Sequence, residues 1–190
     1  MRDAGVGRVL VASLHQGIAD VLPQRLNFYE SWLDAEGLRE GTIGLAPLYA
    51  VLSFLRQEGD AYSKITTSAG EYAAEWTVDS MGSLERSMLK RAPEMLRPRL
   101  VLRLADRLVQ NSYRRGRLVF KLRKGTATLE LRASVFCDVR EPVGHALCRF
   151  YAAAFARLFK LFEIPAKIEV KSCRATGSPS CAMTVTIVTP

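Results

Sequence analysis

The stretch that decides the fold runs from Lys167 to Val188 and reads KIEVKSCRATGSPSCAMTVTIV. Apolar and polar residues alternate at both of its ends, which is typical of β-strands, and Gly, Ser and Pro residues between them are typical of a turn. Cys173 and Cys181 stand on either side of that turn. The segment therefore predicts a β-hairpin with one cysteine at the turn end of each strand.

Side chains of this hairpin and of the segment before it form a set of potential metal ligands. In the first strand, period-2 alternation places Glu169 on the same face as Cys173. The preceding segment, which contains Cys148, is expected to be a helix that packs on the hairpin. Three thiolates and one carboxylate oxygen suit a tetrahedral structural zinc site. The predicted zinc ligands are Cys148, Glu169, Cys173 and Cys181, with His145 and Cys137 as alternative fourth ligands and ordinary buried, reduced cysteines as the alternative to metal.

The periodicity of the chain changes from helical to strand-like after its first half. Apolar residues recur at helical spacing in the first eighty residues and again before residue 112. The alternating residues 117–123 and 127–135 flank Lys124 and Gly125, which predicts a hairpin. Pro142 is expected to begin a further helix that ends near Phe162. Helices are predicted at 5–22, 26–33, 47–57, 68–80 and 142–162, with another helical region divided by Pro93 and Pro98.

These elements predict a mixed α/β (α+β) fold, in which N-terminal helices precede a hairpin, a helix and a second hairpin. The two hairpins are expected to form a four-stranded, mainly antiparallel sheet from residues near 117–123, 127–135, 166–173 and 181–188, and about five helices are expected to pack with it. At 190 residues the chain has the size of one domain. We predict a single ligand-binding domain over 1–190, with a helical part at 1–80 and a helix and sheet part at 81–190.

The composition excludes several classes of protein. No apolar run approaches the roughly 20 residues that a membrane-spanning helix requires, and no secretory signal is recognisable. We therefore expect a cytoplasmic protein with reduced cysteines. The 27 Lys and Arg against 19 Asp and Glu give a net charge of +8. These charges are spread over several elements, which favours a solvated basic surface over a nucleic-acid interface.

The sequence favours a binding module over an enzyme. It contains no GxSxG, no GxGxxG after a strand, no P-loop and no HExxH motif, and it has only two histidines. Aromatic residues of the helical part instead point to an apolar ligand pocket against the sheet, the alternative being an ordinary core. The predicted pocket residues are Phe28, Tyr29, Trp32, Tyr49, Phe54, Tyr72 and Trp76.

The segment CRFYAAAFARLFKLFEIPAKIEVKSCRATGSPSCAMTVTI, from Cys148 to Ile187, resembles the C-terminal half of the 4-vinyl reductase domain family. The order of elements is also similar to that of the wider superfamily that includes TRAPP vesicle-tethering subunits. The resemblance implies zinc in some members, held by the three matched cysteines and an acidic residue three positions before the second of them. In this chain Val170 occupies that position and Glu169 lies one residue earlier, and the face of the strand favours Glu169 as the ligand.

The resemblance also implies a function. It indicates a stand-alone bacterial binding or sensory module for a hydrophobic small molecule, tetrapyrrole-related compounds included, which forms a homodimer and signals through a protein partner. One alternative is a dimeric interaction scaffold like a TRAPP subunit. Another is a reductase or an accessory role in bacteriochlorophyll synthesis, although the sequence shows no site for a reducing cofactor.

Overall fold

The structure, a computed structural model, describes residues 5–33 and 44–188. Within these ranges the chain forms seven α-helices and one four-stranded sheet, which confirms the mixed α/β fold predicted from the sequence. The helices are α1 (Arg8–Val21), α2 (Leu26–Leu33), α3 (Leu45–Gln57), α4 (Asp60–Asp79), α5 (Ser83–Arg91), α6 (Arg97–Ser112) and α7 (Arg149–Leu161). The strands are β1 (Arg117–Arg123), β2 (Thr126–Arg132), β3 (Ala166–Ser172) and β4 (Cys181–Ile187).

Helix α4 is the centre of the helical layer, and α1 and α7 pack closely against it. Glycines allow both contacts. A Cβ added to Gly17 would lie 2.8 Å from the Ile65 carbonyl oxygen, and a Cβ added to Gly70 would lie 2.2 Å from the Phe150 carbonyl oxygen. The alanines of α7 have the same effect, since the Ala153 side chain also faces Gly70. The three helices therefore meet almost backbone to backbone.

The sheet has the strand order β1-β2-β4-β3, and every neighbouring pair is antiparallel. Lys124 (φ 45°) and Gly125 (φ 75°) connect β1 to β2, and two successive positive φ angles are those of a type I′ turn. The inward face of the two central strands is fully buried and joins the helical core. Its residues are Ala127, Leu129 and Leu131 on β2 and Cys181, Met183 and Val185 on β4.

Two helices begin at other residues than the sequence pattern predicts. Helix α4 begins at Asp60 rather than at 68, because Gly59 (φ 60°) reverses the chain within a short turn after α3. Helix α7 begins at Arg149 rather than at Pro142. The backbone before it bonds to the turn between β3 and β4 instead, with the Val143 N–H donating to the Ala175 carbonyl at 2.7 Å.

Candidate functional site

The four cysteines of the chain converge at the end of the sheet that faces α7. Cys137 ends a 3₁₀ turn (Val135–Cys137) after β2, Cys148 directly precedes α7, Cys173 follows β3, and Cys181 is the first residue of β4. Their side chains are at most 2% exposed. All four sulfur atoms lie within 4.8 Å of one another. Four separate segments thus contribute one thiol each to a single buried cluster.

The spacing of the sulfur atoms matches that of ligands around one metal ion. Cys137 Sγ and Cys173 Sγ lie 3.4 Å apart, and Cys173 Sγ and Cys181 Sγ lie 3.9 Å apart. In a tetrahedral thiolate site with metal–sulfur bonds of about 2.3 Å, neighbouring sulfurs are about 3.8 Å apart. The cluster therefore has the donor type, the number of donors and the dimensions of a four-thiolate site for a single ion.

Hydrogen bonds within the cluster give its thiols different acidities. Bonds from Cys137, Cys148 and Cys181 lower the pKa of Cys173. The pKa of Cys148 is raised, first by its hydrogen bond to Cys137. The pKa of Cys181 is lowered by bonds from Cys137 and Cys148, and its sulfur also accepts the Arg174 backbone N–H at 3.4 Å. The two cysteines of the closing hairpin therefore have the more acidic thiols of the cluster.

Polar groups of the helical layer surround the cluster. The hydroxyls of Tyr62 and Tyr151 are buried and have no hydrogen-bond partner within the described residues. Burial is the main reason why the pKa of each tyrosine is raised, and at Tyr62 the nearby Arg56 guanidinium partly offsets this rise. The Arg56 guanidinium lies on the same side, where its Nη2 donates to the Phe136 carbonyl at 3.1 Å. A positive charge thus lies one residue from a cluster cysteine.

Glu169 does not belong to this cluster, and the expectation that it completes the ligand set is corrected. Its side chain is 41% exposed and binds Lys167 at 2.7 Å and Lys171 at 2.5 Å. Hydrogen bonds from these two lysines lower the pKa of Glu169 to about 2. The fourth sulfur comes from Cys137, which the sequence pattern ranked below Glu169. His145, the other alternative, is exposed.

A β-bulge explains why the strand pattern misplaced Glu169. Val170 of β3 pairs with Met183 of β4, and Ser172 pairs with Ala182. Lys171 is therefore an extra residue that has no paired residue on β4. One inserted residue shifts the alternation of all residues after it to the opposite face. Glu169 therefore points outward while Cys173 points inward. The insertion cannot be recognised in the sequence, because the polar residues of this strand also fit the alternation of a regular strand without a bulge.

The aromatic residues predicted to line one pocket lie in three places. Phe28, Tyr29, Trp32 and Phe54 form one group between α2 and α3, with ring centroids 5.1–5.7 Å apart in contacting pairs. Tyr29 is buried in this group, whereas Phe28 is 42% and Trp32 is 40% exposed. The group is a packed contact between two helices that is open to solvent on one side.

The remaining three aromatic residues lie elsewhere. Tyr72 and Trp76 stack on α4 with centroids 5.7 Å apart, and the Tyr72 hydroxyl donates to Asp20 at 2.7 Å. Tyr49 lines a separate surface cleft of about 820 Å³ between α3 and the loop after Cys137. The cleft is lined by Tyr49, Ala50, Ser53, Arg56, Asp138, Val139 and Arg140. Sequence reasoning found only Tyr49 of this set, because the two sides of the cleft are about eighty residues apart in the chain and no motif joins them.

Comparison with known proteins identifies the fold. No protein-family model matches the chain, and no curated protein matches its sequence. Several solved structures match nearly all of it. An unliganded Fe(II) H-NOX protein from K. algicida has a TM-score of 0.63 at 13% identity and covers 97% of both chains. An H-NOX protein from S. oneidensis in the Fe(II)NO state has a TM-score of 0.62 at 11% identity, over 96% of this chain and 99% of that chain.

A third structure, the H-NOX domain from Shewanella oneidensis in the Fe(II)CO state, has a TM-score of 0.60 at 9% identity and covers 100% of both chains. Identities this low show a shared fold alone. The fold is that of H-NOX proteins, and the assignment to the 4-vinyl reductase and TRAPP-like families is wrong. The homodimer, the tethering scaffold and the reductase role rested on that assignment and lose their support with it.

The prediction of zinc as the cofactor is corrected as well. The matched structures hold iron(II), either unliganded or bound to NO or CO, and so give zinc no support. The expectation that no helix spans a membrane agrees with the structure, since none of the helices in 5–33 and 44–188 is long and apolar enough to cross a bilayer.

Proposed function

We propose that this chain is a sensory module with the H-NOX fold, which responds to a small molecule through a metal centre built from its four cysteines. The observation that carries this proposal is the convergence of four buried sulfurs within 4.8 Å of one another. The fold supports the sensory part, because the matched H-NOX structures are described in unliganded, NO-bound and CO-bound states. The donor set supports a single thiophilic divalent ion in tetrahedral coordination.

Heme, which the fold suggests as a cofactor, does not fit the histidines and cysteines of the described residues. Heme iron is held by an axial His, Cys, Met or Tyr side chain. His145 is exposed, and the His15 ring donates its Nε2 proton to Glu30 at 2.7 Å at the surface. The four cysteine sulfurs contact one another, which leaves no space for a porphyrin face above any one of them. The histidine and cysteine side chains are therefore unsuitable as axial ligands here.

The interior beside the cluster is also filled by side chains. The Phe136 and Phe150 rings stack with centroids 4.7 Å apart, and Tyr151 meets both edge to face. On the other side of Phe150, the close contact at Gly70 joins α4 to α7. None of five surface clefts formed by the described residues is lined by a histidine or a cysteine. The H-NOX fold is thus present with an interior unlike a heme pocket.

The geometry restricts how a small molecule acts at such a centre. Four protein thiolates fill a tetrahedral coordination sphere, so that no position remains open for an external ligand. A small molecule must therefore displace or modify a thiolate, or bind beside the centre. Since the cysteines come from the 3₁₀ turn, the start of α7 and both strands of the last hairpin, a change at any one of them is transmitted to all of these elements.

Titration with Co²⁺ tests the proposed centre, because tetrahedral thiolate coordination gives Co²⁺ characteristic visible absorption. The reduced protein is expected to bind one equivalent with such a spectrum. Cys137→Ser is expected to abolish the four-thiolate spectrum, whereas the matched variant Glu169→Gln should bind as the wild type does. Absence of Co²⁺ binding by the reduced protein, or loss of binding in Glu169→Gln with retention in Cys137→Ser, would contradict the proposal.

Binding should also depend on pH in a defined direction. The ligands are thiolates, so that each cysteine that loses its proton on binding couples metal affinity to pH. Affinity for Co²⁺ is therefore expected to fall as the pH is lowered from about 8 to about 6 and protons compete for the sulfurs. Parallel titrations at both pH values, with proton release followed in a weakly buffered solution, measure this. Equal affinity at the two pH values without proton release is inconsistent with a four-thiolate site.

A further inference from the structure

The surface cleft beside Tyr49 lies directly against the cysteine cluster. Arg56 belongs to both, because its side chain lines the cleft and its Nη2 donates to the Phe136 carbonyl, one residue before Cys137. Asp138, the residue after Cys137, forms the opposite wall of the cleft. The segment 136–138, which carries the Cys137 sulfur, is thus hydrogen-bonded to Arg56 on one wall of the cleft and forms part of the opposite wall.

The charges of the cleft favour an anion. Arg56 lines one wall of the cleft and brings a guanidinium charge to it. Arg140, on the opposite wall, is exposed and forms no ion pair within 5–33 and 44–188. Asp138 opposes this charge, but its Oδ2 accepts the Tyr49 hydroxyl proton at 2.7 Å, and the positive charge of Arg115 also acts on Tyr49. Positive groups therefore outnumber the single carboxylate.

The rest of the lining adds apolar surface. Ala50 on α3 and Val139 on the loop face the same space, which has a volume of about 820 Å³. A volume of this size accommodates an organic molecule rather than an inorganic ion alone. Guanidinium groups match the planar or tetrahedral oxygens of carboxylates and phosphates through paired N–H donors. The lining thus combines an oxyanion-binding end with an apolar wall.

We propose that this cleft binds a small organic anion, whose carboxylate or phosphate group contacts Arg56 and Arg140 and whose apolar body lies against Ala50 and Val139. This inference deepens the proposed function by naming the class of small molecule that acts beside the metal centre. Since Arg56 is bonded to the turn that presents Cys137, a ligand on Arg56 and a metal on Cys137 act on the same segment. Any coupling between them must be reciprocal, so that each changes the affinity of the other by the same factor.

Calorimetric titration with three probes of similar size tests the ligand class. Benzoate and phenyl phosphate carry the two oxyanions, and neutral benzamide is the matched uncharged probe. We expect the anions to bind and benzamide to bind at least about tenfold more weakly, as the loss of a charge-assisted hydrogen bond predicts. The preference between benzoate and phenyl phosphate identifies the oxyanion. No binding of either anion, or equal binding of benzamide, overturns the inference.

Variants locate the site. Arg56→Gln and the exposed Arg140→Ala are each expected to weaken binding of the preferred anion by about tenfold or more. Arg103→Ala, which removes an exposed arginine of α6 that does not line the cleft, is the matched control and should leave binding unchanged. Asp138→Asn should strengthen binding about threefold, because it removes the opposing charge. Unchanged affinity in both cleft arginine variants overturns the inference even if Arg56→Gln is destabilised, since Arg140 is a surface residue.

The same titrations on metal-free and Co²⁺-loaded protein separate this inference from the proposed function. Anion binding that persists in a protein unable to bind Co²⁺ supports the cleft and contradicts the metal centre. Co²⁺ binding without any anion binding supports the metal centre and overturns the inference about the cleft. If both bind, the coupling is measured in two ways, as the change of anion affinity on metal loading and as the change of metal affinity on anion binding. The two factors are expected to be equal.

Discussion

Replacement of Cys181 by Ser is expected to lower the free energy of unfolding of the metal-loaded protein by about 5 kcal/mol or more. Cys181 is completely buried and is the first residue of the central strand β4. A metal held by four segments stabilises the folded state by its binding free energy, because the unfolded chain has no preformed site. Urea unfolding of the Co²⁺-loaded wild type and of the variant measures the difference.

The metal-free state provides the decisive control for this prediction. Without metal, Cys181→Ser only places a hydroxyl among buried thiols, which is expected to cost about 1–3 kcal/mol. Thr186→Ser, on the outward face of the same strand, should change stability little in either state. If Cys181→Ser destabilises the metal-free and the metal-loaded protein equally, the cluster is an ordinary part of the core.

The second large effect is expected at Gly70, where α4 meets α7. An alanine there would place its Cβ 2.2 Å from the Phe150 carbonyl oxygen and 3.1 Å from the Ala153 Cβ. In an exposed helix interior, Gly→Ala stabilises by about 1 kcal/mol. At Gly70 we expect the opposite sign, a loss of about 3 kcal/mol or more, because two backbones must move apart in a close-packed core.

Thermal unfolding of Gly70→Ala measures this loss, and Gly144→Ala is its matched control. A Cβ at Gly144 would meet nothing within 4 Å, so that the same chemical change should be nearly neutral there. Because Phe150 lies two residues after Cys148, movement of α7 should also weaken Co²⁺ binding by the Gly70 variant. A Gly70→Ala protein as stable as the wild type would show that the helices lie further apart than the structure places them.

Local periodicity was sufficient to predict the elements that form the sheet. All four strands begin and end within three residues of their predicted limits, because alternation of buried and exposed side chains is fixed by the pleat. The turn at Lys124 and Gly125 was equally visible, since a type I′ turn depends on its own two residues. Features determined by near neighbours in the chain were thus recognisable in the sequence.

The composition of the site depended on contacts between distant residues, and there the sequence was less informative. Three of the four cluster cysteines were predicted together because a hairpin and the helix before it must pack. Cys137 was ranked below Glu169, because nothing local shows that the turn after β2 reaches the start of β4. The bulge at Lys171 and the bond from Val143 to Ala175 likewise exist only once the elements have packed.

The family assignment shows the same limit of prediction from sequence, here for the whole fold rather than for one site. The order of helices and hairpins was predicted correctly, yet the family resemblance drawn from residues 148–187 was wrong. At 9–13% identity, the H-NOX structures described above share few residues with this chain, although they share its fold. Many sequences satisfy the same pattern of buried and exposed positions, and the resulting fold does not by itself determine what a protein binds.

The bulge in β3 has a consequence for the solubility of the protein. The strand order leaves β1 and β3 at the two ends of the sheet formed by the described residues. A free strand edge offers unpaired N–H and C=O groups to which a strand of another molecule can add. In β3 the extra residue is Lys171, and Lys167 and Glu169 are charged residues of the same edge strand. The insertion that turns Cys173 toward the cluster therefore also makes this edge irregular and charged, which opposes aggregation by strand addition.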